Sequence, residues 1–434
     1  MKSRKKTKNM VIAGFCIVLA LSINICDQSK FNTEFCKDSR NNIKFTYSKL
    51  KLSKIVGTIH INNNWSEAKT AGLVTGSGTF SDPYVIEDLV IDGNFSGFCI
   101  WIENSSSYVR IENCTLYNSG SFSDKSWYWM DNIEYWWLGG GGIVLSNVSN
   151  SLVIGNNVSN NYRGILLKDS SNNTLSGNSV NNNDSYGIDL ILSGNNTLSG
   201  NILNNHGLLI FGSQEQLSTL KITTNNLVNG KFIYYYVNEI DLKPYNFSNA
   251  GQVYLVNCSN SNISNLNVSS STIGITLFYS NNNTISGSTS NNNFLGIGLI
   301  NSSYNNITKN IANYNTMTGI ALISSNNNSI SGNTANNNSW IGINLVESNF
   351  NSIFGNIANN NTQNGLASTD SDNNKISGNI ISYNGGNGLF FISNFDKNTI
   401  TGNNVSHNEG HGLWLSSECN NNNISDNNIR SNEG

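Results

Sequence analysis

An all-β right-handed parallel β-helix, a solenoid of 22–24-residue coils behind an N-terminal signal or anchor helix, is the fold class this sequence predicts. Three observations carry it. A Gly-Ile/Leu-x-Leu string recurs along the chain, a second glycine recurs in phase with it, and 85 of the 434 residues are asparagine. Fixed-period self-similarity is the mark of stacked repeats.

The first ladder begins at Gly142, Gly164, Gly187, Gly274, Gly296, Gly319, Gly342, Gly365, Gly388 and Gly412, in steps of 22 or 23 with a final 24. The long gap from Gly187 to Gly274 is 87 residues, room for about four repeats. After each glycine, apolar residues stand at alternate positions, as at Ile320 and Leu322 or Ile343 and Leu345. Period two marks a strand with one buried face. A third apolar column (Val153, Leu175, Ile330, Ile353) precedes the second glycine, and a fourth (Val158, Val180, Ala335, Ile381) follows it. Strands this short bury nothing alone but form a continuous core when coil stacks on coil. About 15 coils at about 4.8 Å each predict a rod roughly 70 Å long.

Asparagine then has a structural task. Asn161, Asn183, Asn293, Asn315, Asn338, Asn361, Asn384, Asn408 and Asn432 recur at one turn, where stacked amides form a hydrogen-bonded ladder. Asparagine also tolerates left-handed backbone. Pro83 and Pro244, the two prolines, fall outside the regular coils.

The composition excludes several classes. With 12% charged residues and a net charge of −3, the chain offers no basic field for nucleic acid. Proline is too rare for collagen, and aromatics at 10% argue against disorder. Seven cysteines at wide spacings make no disulfide framework; Cys99 and Cys114 read as buried thiols, with a bridge between coils as the alternative.

Of the 24 basic residues, 12 lie in the first 54 positions. Lys2, Arg4, Lys5, Lys6 and Lys8 precede the apolar run Val11–Leu21, the pattern of an export signal. The expected organisation is a signal peptide or membrane anchor over 1–26 and a basic polar linker over 27–54. N-terminal coils follow over 55–141 with an aromatic insertion at 120–141, then repeats over 142–434 with a loop interruption near 211–257. The expected location is secreted or cell-surface, with membrane contact only through the N-terminal segment. The coil opened at Gly412 has no polar cap after it, so end-to-end stacking through this terminus is a further expectation.

The insertion is the most suggestive functional feature. Trp127, Trp129, Tyr135, Trp136 and Trp137 form a cluster of flat rings suited to stacking on sugars, or to shielding apolar surface. About twenty Asn-x-Ser/Thr sequons occur, among them Asn64, Asn104, Asn147 and Asn246.

The strings Gly-Ile-x-Leu, Asn282–Gly287, Asp82–Asp88 and Asn229-Gly230-Lys231 resemble the right-handed β-helix family of carbohydrate-binding proteins and sugar hydrolases. Within it they are most similar to the NosD-like repeats of archaeal surface proteins, over residues 75–434. The resemblance implies the fold and leaves lyases, epimerases, hydrolases and non-catalytic binders all open. Enzymes of this kind need a base and a cation together. The column expected to face outward, Val144, Leu166, Asp189, Leu209, Thr276, Gly298, Ala321, Asn344, Ala367, Phe390 and Trp414, has one carboxylate and no cation. Gly410-His411-Gly412 resembles a polygalacturonase motif, making His411 and Glu409 weak catalytic candidates without the aspartates those enzymes also use. His407 sits in a turn column otherwise held by Asn160, Asn337, Asn360 and Tyr383. The NosD relation implies copper, yet methionine is scarce and no Cys/His cluster appears, so no metal or other cofactor is expected. The expected function is a non-catalytic surface protein binding an extracellular polysaccharide or another surface protein. The alternatives are a polysaccharide-active enzyme and a structural rod or adhesin.

Overall fold

The computed structural model describes residues 54–120, 140–416 and 418–434. The signal segment, most of the linker and the five insertion aromatics Trp127, Trp129, Tyr135, Trp136 and Trp137 lie outside these residues.

The predicted coils are present. Ile320 pairs with Ile343 and Leu322 with Leu345 in parallel register, and all four are at most 1% exposed. Six strands, from Ile59–Asn62 to Leu208–Phe211 and including the Gly-Ile-x-Leu strands of Gly142, Gly164 and Gly187, form a first sheet. A second sheet runs from Tyr84–Glu87 to Lys221–Ile222. The third side begins a sixteen-stranded sheet at Lys54–Val56 and reaches Leu227–Val228. The apolar columns of the three sides meet in one dry core.

At this point the chain reverses. Asn229 and Gly230 take φ of +50° and +76°, both left-handed, as the tightest hairpin turn requires. Leu227 and Val228 then pair antiparallel with Phe232 and Lys231. The long sheet continues from Lys231–Val237 through Ala250–Val256 to Leu413–Leu415, now built from Gly-Ile-x-Leu strands. A fourth sheet, Asn262–Ser264 to Asn423–Ser425, carries the third apolar column of this second stack. Among the described strands every other pairing is parallel, so each stack is a parallel β-helix.

The two stacks share the long sheet but use opposite faces of it. In the second stack Val253, Leu255, Ile275 and Leu277 enter its own core. Ile233, Tyr235, Tyr254 and Val256 alternate with them and join the core of the first stack. Gln252, fully buried, accepts from the Leu208 N–H at 3.0 Å and donates to the Leu208 carbonyl at 2.7 Å, fastening the junction.

Two expectations are corrected here. The coils do not form one unbroken rod, because strand direction reverses at Asn229-Gly230. The column expected to face solvent is buried from Val144 to Leu209 and again from Thr276 to Ala367. Its physical reason is contact between the stacks: Leu209 of the first clusters with Ile273, Leu295 and Ala321 of the second. Tyr186 meets Phe294 edge-on at 5.6 Å. Solvent returns only at the ends, with Phe390 half-buried and Trp414 42% exposed.

Asparagine ladders run inside the turns. The expected one is there, Asn315 to Asn338 to Asn361 to Asn384 to Asn408. Two more were not read from the sequence: Asn310–Asn333–Asn356–Asn379–Asn403 and Asn283–Asn305–Asn328–Asn351. Asn333 shows the design. Its Oδ1 accepts from the N–H and Nδ2 of Asn310 at 2.9 and 3.0 Å. Its Nδ2 donates to the Ile307 carbonyl at 2.8 Å and to Asn356 Oδ1 at 3.0 Å. The buried carboxamide is fully used. Asn333→Ala strands the Asn310 N–H and takes a second bond from the Ile307 carbonyl, and a buried orphan costs about 1–3 kcal/mol. Urea unfolding should show a loss of at least about 2 kcal/mol; a loss near zero would mean the ladder is decorative.

One ion pair is enclosed where the stacks meet. Arg163 Nη1 lies 3.2 Å from Asp189 Oδ2, and the two side chains are 8% and 0% exposed. The guanidinium also lies over the Tyr186 ring at 5.4 Å. Burial pushes the Asp189 carboxyl up to about 7, against the opposing pull of Arg163. A free carboxyl titrates at 3.8, so between these values the folded protein holds a proton that the unfolded chain has lost. Its contribution to stability is therefore present below about pH 4 and declines as pH rises to about 7. Chemical unfolding across that window should show the wild type losing more stability than Asp189→Asn; parallel curves would refute the assignment.

Candidate functional site

Outward positions of the first sheet stay accessible only in its earliest coils. Strand Ile59–Asn62 points Ile59 and Ile61 inward and His60 outward; strand Phe98–Ser105 does the same with Ile100, Ile102 and Trp101. Register places His60 on Trp101 and Asn62 on Glu103. The His60 and Trp101 rings stack at 4.3 Å and 16°, and Phe98 stands edge-on to Trp101 at 5.5 Å. His60 Nε2 lies 2.8 Å from Glu103 Oε1, with side-chain exposures of 42% and 19%. None of these residues was singled out in the sequence. The signal was available, since both strands carry the Ile-x-Ile alternation, but they lack the glycine that marks the repeat.

This patch borders the neck of the aromatic insertion. Phe98 is in register with Gly141. A Cβ on Gly140 would fall 2.2 Å from the Gly97 carbonyl oxygen and 2.3 Å from that of Gly120. The ends of the insertion therefore meet in backbone contact that only glycine allows, next to Phe95 and Phe98. Further along the same edge, Asn147 Nδ2 donates to Asn104 Oδ1 at 3.0 Å, and Asn104 Nδ2 to Asn62 Oδ1 at 3.1 Å. With Ser106, Asp169 and Ser171, Asn104 and Asn147 line a groove of about 410 Å³. Hydroxyls and amides suit such a groove; an anion would meet Asp169.

Acid–base chemistry is not assembled here. His60 and Glu103 supply a base and an acid. The cation in register, Lys168, is two strands away across Ser146, about 10 Å, and is paired to Asp169 at 3.1 Å. The other expected candidates lie at the far end of the second stack. His411 donates its backbone N–H to Asn387 Oδ1 at 2.8 Å, and its ring lies 4.8 Å from Trp414. Glu409 is exposed, and its backbone N–H donates to the Asn384 carbonyl. His407 takes the left-handed turn conformation, φ +56°, and stacks on Tyr383 at 5.0 Å, as its column implied. The nearest cation in register is Arg430, whose carbonyl accepts the His407 N–H at 3.4 Å and which pairs with Ser406.

Among the described residues no group of three or more His, Cys, Asp or Glu is placed to hold a metal ion. The four described cysteines are free thiols. Burial pushes Cys99 up to about 12 and Cys114 to about 11, so neither is a reactive thiolate. No described helix is long and apolar enough to cross a membrane.

Comparison with known proteins follows this geometry. The model of the right-handed beta helix region matches residues 56–229 and 295–429, and that of the periplasmic copper-binding protein NosD matches 233–356. The NosD-matched stretch contains no histidine, one cysteine (Cys258) and one methionine (Met317). Cys258 is buried and its thiol raised by that burial. This donor set does not fit copper. No curated protein matches the chain. Solved structures with some likeness include the periplasmic alginate epimerase AlgG, at 15% identity over 86% of this chain and 84% of that one, TM-score 0.36. The A-module of a mannuronan C-5 epimerase of Azotobacter vinelandii gives 12% identity over 77% and 88%, TM-score 0.30. The DFA-IIIase of Arthrobacter chlorophenolicus A6 gives 11% over 76% and 81%, TM-score 0.30. At such TM-scores these likenesses carry no inference about chemistry. Two parallel coil stacks and a family match across more than half the sequence place this chain in the right-handed β-helix family, with a NosD-like stretch over residues 233–356.

Proposed function

We propose that this is an exported or surface-attached β-helix protein that binds carbohydrate without transforming it. The observation that carries the reading is the patch of His60, Phe98, Trp101 and Glu103, set beside the neck of an insertion rich in tryptophan. Aromatic edges and faces pack on sugar rings, while Glu103, Asn104 and Asn147 offer hydrogen bonds to hydroxyls. The adjoining groove is lined mainly by asparagine and serine side chains that can meet sugar hydroxyls. Among the described residues no cation stands beside His60 and Glu103, which favours binding over uronate lyase or epimerase chemistry, where developing enolate charge needs stabilising.

The full chain on an array of polysaccharides should retain ligand. Trp101→Ala and a Trp136→Ala/Trp137→Ala pair should each weaken retention at least about tenfold, the loss of one buried aromatic contact. Absence of any polysaccharide ligand for the wild type would end the reading. Release of unsaturated or reducing ends during the same incubation would replace it with an enzyme.

A further inference from the structure

We infer a second carbohydrate site on the second stack, a ridge that takes an uncharged polysaccharide laid along the stacking axis. It rests on the carbohydrate-binding reading above but uses different residues.

The ridge is one column at the corner between the long sheet and the fourth sheet: Asn282, Tyr304, Asn327, Phe350 and Asn373, with φ of +57°, +60°, +56°, +58° and +56°. Coil-to-coil bonds hold the column in register. The Tyr304 N–H donates to the Asn326 carbonyl at 3.2 Å, that of Asn327 to Asn349 at 3.0 Å, and that of Phe350 to Asp372 at 3.0 Å. Tyr304 and Phe350 thus stand two strand spacings apart, about 10 Å. They are 62% and 58% exposed.

The fold asks for no aromatic at either place. Asparagine fills three of the five positions, and it accepts left-handed backbone far more readily than a bulky side chain does. Tyr304 and Phe350 strain the backbone and leave their rings in water. Their use is toward something outside the molecule. Two flat faces on a rigid corner, separated by an asparagine, suit a polymer whose sugar units repeat along the same axis, because each added contact is intramolecular once the first has formed.

A parallel column supplies the polar partners. Asn326 Oδ1 accepts the Asn349 N–H at 2.7 Å, and Asn349 Oδ1 accepts that of Asp372. Each oxygen is used within the stack, which leaves the Nδ2 donors to meet sugar hydroxyls. Charge decides the ligand class. Glu347 stands in Phe350's coil and Asp370 and Asp372 in the next, while Lys309 lies in Tyr304's coil, Lys375 beside Asn373, and Lys397 at the following position of the column. Acids and cations thus alternate along the ridge, so an anionic chain gains no net attraction there, and stacking on the two rings serves a neutral chain.

Affinity electrophoresis of the full chain through gels containing β-glucan, xylan, galactomannan, alginate or pectate tests this. Wild type, Tyr304→Asn/Phe350→Asn and Trp101→Ala are compared. Asparagine is resident in the neighbouring coils, so the ridge variant should melt at or above the wild-type temperature. Its Kd for a neutral polysaccharide should rise at least tenfold, and alginate and pectate should not retard any form. Unchanged binding by the folded ridge variant overturns the ridge even if Trp101→Ala abolishes binding and upholds the first site. Preference for alginate or pectate overturns the ligand class. No retardation of wild type by any gel removes both sites.

Discussion

Each coil is held over the next by hydrogen bonds running along the stacking axis, and buried asparagine carboxamides extend those bonds into the turns. A sheet satisfies its own N–H and C=O groups, but the corners of a solenoid would leave theirs orphaned in a dry interior. Asn333, taking Asn310 above and giving to Ile307 and Asn356, closes that gap at one corner. Asn328 and Asn384 do the same at the other two. With corners satisfied this way, strands of three residues such as Ser329–Ser331 suffice. The composition follows: a fifth of the chain is asparagine because nearly every turn of every coil needs one.

The hairpin at Asn229-Gly230 then changes what the solenoid can offer. A straight β-helix would present its broad sheets to solvent. Here the chain doubles back, and the Gly-Ile-x-Leu sheets of both stacks turn their outer faces inward. That explains how Leu209, Ala321 and the Arg163–Asp189 pair come to be buried on positions whose alternation reads as external. It also displaces function. On the Gly-Ile-x-Leu sheets, access is kept mainly in the first coils, where His60 and Trp101 lie beyond the overlap; elsewhere it falls to the corners and to the short outer strands that carry Leu152 and Phe354.

The core was legible because every column is sampled many times: an isoleucine at 320 and another at 343 mean little alone, but ten in series fix which residues touch. One asparagine ladder was legible for the same reason. The ladder through Asn310 and Asn333 was hidden, since from Asn333 onward its asparagines directly follow the second glycine and read as part of that motif, while Asn310 follows Lys309. The reversal was hidden differently. Gly187 to Gly274 spans close to four repeats, so arithmetic concealed a hairpin that Asn-Gly between apolar alternations announces. The contact between stacks is non-local and leaves only a weak trace, the small residues Thr276, Gly298, Ala321 and Ala367 where exposed polar groups would be expected. His60 and Trp101 were missed because their strands lack the marker glycine.

In a repeat protein the informative residues are the departures. At most core positions the substitutions exchange one aliphatic for another, and where they do not, as at Ser368 beside Phe391, a small residue adjoins a large one, which speaks only of packing. At the left-handed corners the exchanges cross chemistry: Tyr304 and Phe350 stand where Asn282 and Asn327 would serve, and His407 stacks on Tyr383 where Asn337 and Asn360 stand earlier in the column. Such exchanges gain nothing for the fold, because asparagine already meets the backbone's demand at lower strain. A scaffold locked by axial ladders can carry them without rearranging, and it holds each ring at a spacing set by the coil. Stability and display are thus divided between inward and outward faces of the same turns, the inward asparagines fixing geometry and the outward side chains free to vary with what they meet.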